Sequence, residues 1–130
     1  MRRIVPVTVL VLALCCVSSL PADSTVPDPS QNPEAPYRLF RTANLWTFLK
    51  LNTEDGRIWQ LQFDVRGDDR GHVSLNSLTL VGPDDQIPGR FTLYPTSNMY
   101  TFILLDQIDG RAWQVQWAFE REYRFILPIR

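Results

Sequence analysis

The segment DGRIWQLQF at residues 55–63 returns nearly unchanged as DGRAWQVQW at residues 109–117. Sliding the chain by 54 residues aligns 37–76 with 91–130, and 13 of the 40 pairs are identical. Ordinary residue frequencies would give about two or three. Other pairs are conservative, such as Trp46 with Tyr100 and Phe63 with Trp117. The chain is therefore a tandem duplication, with repeats at 37–81 and 91–130. Each repeat has an apolar face that it cannot bury alone, and two copies can cover each other.

Each copy reads as β-structure. LWTFLKL (45–51) and MYTFILL (99–105) are aromatic and aliphatic runs too short for a comfortable helix. The following strand alternates: Trp59, Leu61 and Phe63 point one way, Gln60 and Gln62 the other. The second copy repeats this with Trp113, Val115 and Trp117 against Gln114 and Gln116. Period-two alternation marks a strand with one buried face, which puts the aromatic and aliphatic set in the core and the glutamines outside. Asp55-Gly56 and Asp109-Gly110 lie between apolar runs and read as hairpin turns, since Gly accepts positive φ and Asp bonds the turn backbone. TAN (42–44) and TSN (96–98) join a first strand at 37–41 or 91–95 to the second, with Asn44 and Asn98 expected in the left-handed region. A fourth strand is expected at 72–75, running on irregularly to 81, and at 125–129; GPDDQIPG (82–89) reads as the connector. The expected fold is all-β: two four-stranded antiparallel meanders packed with pseudo-twofold symmetry as a sandwich or a small barrel.

The N-terminus reads as an export signal over residues 1–22. Arg2 and Arg3 precede an apolar run at 4–17, and Ser18, Ser19 and Ala22 supply small residues. Residues 23–36 hold four of the prolines and several polar residues, and read as an extended, disordered linker before a single β domain at 37–130. Both cysteines, Cys15 and Cys16, sit in the apolar run. Lipidation of one of them is the one route by which the sequence reaches a membrane, and the chain is expected to be periplasmic, at the cell surface or secreted. With the signal removed no thiol remains, so disulfides and thiolate chemistry drop out. The net charge then moves from −1 to −3 through loss of Arg2 and Arg3. A mildly acidic chain without a basic run gives no case for nucleic acid.

The unit FLKLNTEDGRIWQLQF (48–63) resembles blades of quinoprotein-type β-propellers, in which an apolar strand, a turn and a Trp-bearing strand recur. Its turn lacks the T-G pair of that pattern, and two units are fewer than the 4–8 blades of a propeller, so no quinone chemistry carries over. Residues 94–106 and 109–117, with wording YPTSNMYTFILLD and DGRAWQVQW, are also similar to short exported tandem-repeat proteins of Bacteroidetes. That resemblance implies export and a β-repeat fold and assigns no activity.

Few residues carry a chemical signal. Trp59 and Trp113 read as core, or as a stacking platform for a sugar or peptide. The repeated pair at Gln60, Gln62, Gln114 and Gln116 offers amide donors and acceptors to a glycan or a peptide strand, or forms a cross-strand ladder. Arg57 and Arg111 follow each turn glycine and either clamp a ligand carboxylate or pair with Asp55 and Asp109. RGDD (66–69) contains an adhesion tripeptide but reads as a charged loop, and Asp64, Asp68 and Asp69 lack calcium-loop order. His72 is the single histidine and stands apart from any nucleophile or metal-ligand spacing. Nothing points to a metal, a cofactor or catalysis. The sequence thus favours an extracytoplasmic binding or interaction module whose ligand is an envelope protein or glycan. The alternative is an assembly subunit pairing through edge strands such as FILPIR (125–130), with oligomeric state left open. A carbohydrate-active enzyme is the least supported reading.

Overall fold

The computed structural model describes residues 32–130. The expected signal segment, Cys15, Cys16 and most of the linker lie outside the described residues. The last linker residues are tied down: the carbonyl of Pro36 accepts from the Thr53 amide at 2.7 Å and the Thr53 hydroxyl at 3.0 Å.

Eight strands form two open four-stranded antiparallel sheets, each in simple meander order. Sheet 1 holds β1 (Tyr37–Arg41), β2 (Thr47–Asn52), β3 (Ile58–Gln62) and β4 (Gly71–Asn76). Sheet 2 holds β5 (Phe91–Pro95), β6 (Thr101–Asp106), β7 (Ala112–Gln116) and β8 (Phe125–Ile129). Two single 3₁₀ turns, Pro83–Asp85 and Arg121–Tyr123, lie in the connections. The sheets pack as a sandwich and do not close into a barrel; β2 lies against β5 and β4 against β8. No helix among the described residues is long and apolar enough to cross a membrane.

The local signals act largely as the sequence dictates. Gly56 and Gly110 take φ of +82° and +80°, and their amides donate to the carbonyls of Asn52 and Asp106 at 3.0 and 2.9 Å. The corners work differently from expectation, because among the described residues none other than glycine has positive φ. The Asn44 side-chain oxygen instead accepts from the Trp46 amide, while the Thr42 hydroxyl donates to the carbonyls of Asn44 and Thr47. Thr96 and Asn98 repeat the arrangement. A polar side chain that bonds its own backbone two residues on turns the chain without a left-handed residue. The fourth strand of sheet 1 stops at Asn76, whose amide donates to the carbonyls of Gly56 and Leu78, both at 2.9 Å, and ends the ladder there.

The faces that meet are not equivalent, so the pseudo-twofold expectation holds for strand number and order only. In antiparallel pairs, residues directly opposite share a face. In sheet 1, Leu49 pairs with Gln60 and Leu51 with Ile58. That face is the buried one: Leu49, Leu51 and Ile58 are wholly inaccessible, and Thr47 lies with them. In sheet 2 the buried set is Phe91, Leu93, Phe102, Leu104, Trp113, Val115 and Trp117. By the 54-residue offset these match Tyr37, Leu39, Phe48, Lys50, Trp59, Leu61 and Phe63, which lie on the opposite face of sheet 1 from Leu49. We call the face carrying positions 59, 61 and 63, or 113, 115 and 117, the front. The back of sheet 1 therefore covers the front of sheet 2.

Candidate functional site

Front-to-back packing leaves the front of sheet 1 uncovered. Phe63 is 42% exposed, Leu39 40% and Tyr37 50%, while Phe48, Trp59 and Leu61 are half-buried. This corrects the expectation that Trp59, Leu61 and Phe63 form core like Trp113, Val115 and Trp117, all three of which are buried. The reason lies in the neighbouring strand. In β2 the apolar pair Leu49 and Leu51 alternates with Lys50, and register places Gln60, not Trp59, beside Leu49. Burying the Leu49 face keeps the ammonium of Lys50 out of the core, where an unpaired charge is costly.

The uncovered front keeps the ring arrangement of the covered one. Tyr37 and Trp59 have centroids 6.3 Å apart, and their counterparts Phe91 and Trp113 are 6.2 Å apart. Trp46 and Phe63 are 5.4 Å apart, against 5.0 Å for Tyr100 and Trp117. Tilted and edge-to-face pairs of this kind are favoured ring arrangements and build an apolar surface. Between the rings, Leu39, Phe48, Leu61, Phe63, Gly71 and His72 line a shallow groove of about 420 Å³. Cations flank the Trp59 ring: Lys50 Nζ stands 4.6 Å from its centroid, and the Arg57 guanidinium 5.6 Å. Sequence reasoning missed Tyr37, Leu39, Phe48 and Lys50 as surface residues. The signal was present in the offset alignment, where Lys50, His72 and Arg41 replace Leu104, Ile126 and Pro95. Polar residues at three front positions of one copy mark a front that stays in contact with water.

The four glutamines do not form one surface. Gln60 is buried between the sheets, contrary to its expected outward position, and its side-chain oxygen has no hydrogen-bond partner among the described residues. Gln62 lies on the same back face of sheet 1 and is half-buried. Gln114 and Gln116 occupy the outer back of sheet 2, where the Gln116 amide donates to the Tyr123 carbonyl at 3.0 Å. With one pair between the sheets and the other outside, no common ligand spans them.

The turn arginines are held by their own turns. Arg57 meets the Asp55 carboxylate at 2.8 Å, and Arg111 meets that of Asp109 at 2.6 Å. The first turn is the more enclosed: Asp55 is buried, and its carbonyl accepts from the Leu80 amide at 2.8 Å. A buried ion pair joins Arg90 to Asp106, with Nε 3.0 Å from both carboxylate oxygens. Arg90 also donates to the Asp85 carbonyl at 2.9 Å, which pins the connector to the end of β6. Its bonds are all internal, so it serves the fold. In the RGDD loop, Asp64 accepts from the amides of Gly67 and Asp69, which shapes the loop locally.

Comparison with protein-family models, curated proteins and solved structures gives no match.

Proposed function

We propose that this chain is an extracytoplasmic protein–protein interaction module of the cell envelope, engaged through the front of sheet 1. The observation that carries this reading is the duplicated ring array, covered in sheet 2 and open in sheet 1. A contiguous exposed apolar face rimmed by charge is the usual mark of a protein interface. The order of charge, apolar run and small residues over residues 1–22 supports export. Leucine and phenylalanine at the centre of the groove favour a protein over a glycan, which would need more hydrogen-bonding groups beside the rings. Pairing through β8 is the weaker alternative, because Pro128 removes an amide from that outer strand.

The test is a Leu61→Asp/Phe63→Asp double variant expressed in its native host. Both side chains lie outside the buried core, so the variant should fold with an unchanged circular dichroism spectrum. It should lose the higher-mass envelope complexes that the unaltered protein forms on native gels. A variant that keeps those complexes would overturn the interface, and recovery of the protein from the cytosol would overturn export.

A further inference from the structure

We infer that the open front of sheet 1 is covered by the back of sheet 2 of a second copy of this chain, so that copies stack head to tail. The inference rests on the interaction-face reading above and names the partner. One such junction already exists inside each chain, where the back of sheet 1 covers the front of sheet 2. Both halves of a second junction are present and unused at opposite ends of the molecule. The open front repeats the ring spacing of the covered one. The back of sheet 2 is equally unpartnered: Tyr94 is 51% exposed, Ile103 36%, Leu127 55% and Ile129 52%. By the offset, Ile103 and Leu105 stand where Leu49 and Leu51 stand in the covering face of sheet 1. The aromatic and aliphatic residues of the internal junction therefore recur in large part on the two surfaces left over, with Lys50, His72 and Ala112 in place of Leu104, Ile126 and Ile58.

The differences suit a junction between separate molecules. On the open front, Lys50 replaces Leu104 and His72 replaces Ile126. A lysine lying along an aromatic ring keeps its charge in water while its stem covers apolar surface, which lets a free chain stay in solution before docking. A front meeting a back is a heterologous contact, because the two patches are different. Such contacts build closed rings when the rotation per step closes and filaments when it does not. Each chain supplies two sheets. Rings of radially stacked four-stranded sheets hold about 4–8 of them, which corresponds to about two to four chains.

Head-to-tail stacking has a signature that face-to-face dimerisation lacks. Leu61→Asp/Phe63→Asp spoils the front of sheet 1, and Ile103→Asp/Leu127→Asp spoils the back of sheet 2. Purified protein should run by light scattering at micromolar concentration as a multiple of the chain mass or as a polymer. Each double variant should run as a monomer. Mixed, the two should form a one-to-one pair of twice the monomer mass, since each retains the face that the other needs; this rescue also shows that both are folded. Unaltered protein that stays monomeric, a back-face variant that assembles normally, or a mixture that stays monomeric would each overturn the stacking. A photo-crosslinking residue at position 61, activated in intact cells, separates this inference from the reading beneath it. Capture of sheet 2 of another copy supports the stacking. Capture of a different protein alone overturns it and leaves the interaction face standing, and no capture overturns both.

Discussion

Burial alone would push the Asp106 carboxyl upward, because a low-dielectric surrounding disfavours its charge. The Arg90 guanidinium and the amides of Ile108 and Asp109 outweigh that and hold it below the ordinary carboxylate range. The sign of the pH dependence follows. A carboxyl more acidic in the folded chain than in the unfolded one stabilises the fold above the unfolded value, and the contribution is lost as pH falls through it and onward to the lower folded value. Thermal melting should therefore be flat through neutral pH and decline below about pH 4. Asp106→Asn should lower the neutral-pH midpoint and shrink the acid decline, since it leaves the enclosed Arg90 without its main partner; a melting series from acid to neutral pH checks both. The turn glycines give a second contrast at this scale. Both hold φ near +80°, which an L side chain adopts at a cost of roughly 1–2 kcal/mol. A Cβ at Gly110 meets nothing within 4 Å, whereas at Gly56 it would lie 2.7 Å from Leu80 Cδ1. Gly110→Ala should thus cost about 1–2 kcal/mol by denaturant unfolding, and Gly56→Ala should cost more because Leu80 has to move.

Strand positions were written plainly in the sequence, because turn chemistry and apolar runs are local. Strands β1, β5 and β8 fall where the sequence places them, and the Asp-Gly hairpins hold. The alternation of β3 alone, where Trp59, Leu61 and Phe63 outweigh Gln60 and Gln62, points to the wrong face of sheet 1. The alternation of Leu49 and Leu51 with Lys50 in β2 argues for the other face, and the cross-strand register makes the two strands share one decision. In β6 the run Phe102, Ile103, Leu104, Leu105 gives no such vote, so sheet 2 is decided by Phe91, Leu93 and the tryptophans. The open front, the basis of the candidate site, was legible only by comparing the copies residue by residue. Inequivalent faces also separate two aligned residues energetically. Trp117 is fully buried and donates its indole N–H to the Met99 carbonyl at 2.9 Å, while its counterpart Phe63 is 42% exposed. Trp117→Ala should cost about 3–5 kcal/mol, while Phe63→Ala should cost about 1 kcal/mol, near the average for point substitutions. Equal losses in urea titrations would mean that the two fronts are buried alike.

At the level of the whole molecule, the two sheets form one folding unit built from two incomplete ones. The core cluster runs continuously from Leu49, Leu51 and Ile58 into Phe91, Phe102, Val115 and Trp117, so each sheet supplies one side of a single apolar layer. The connection between them runs from the end of β4 to the start of β5 and is exposed over 82–85, and Arg90 fastens its far end to Asp106 and Asp85. Additional ties cross from the first repeat to the start of the second: the Phe91 amide donates to the Thr53 carbonyl at 2.8 Å, and the Gly89 amide to the Thr53 hydroxyl at 3.0 Å. A single sheet freed of its neighbour would expose its share of the layer and lose these bonds, and chains of about 40 residues rarely bury enough surface to fold alone. Cleaving the chain within 82–85 should therefore leave a nicked protein that holds together and keeps its near-ultraviolet dichroism. The separated fragments should each lose that signal in isolation and regain it when mixed in equal amounts, because the missing side of the layer is restored from outside. A fragment that kept native dichroism alone would show that one repeat buries enough surface by itself, and the duplication would then be needed for the outer faces rather than for the fold.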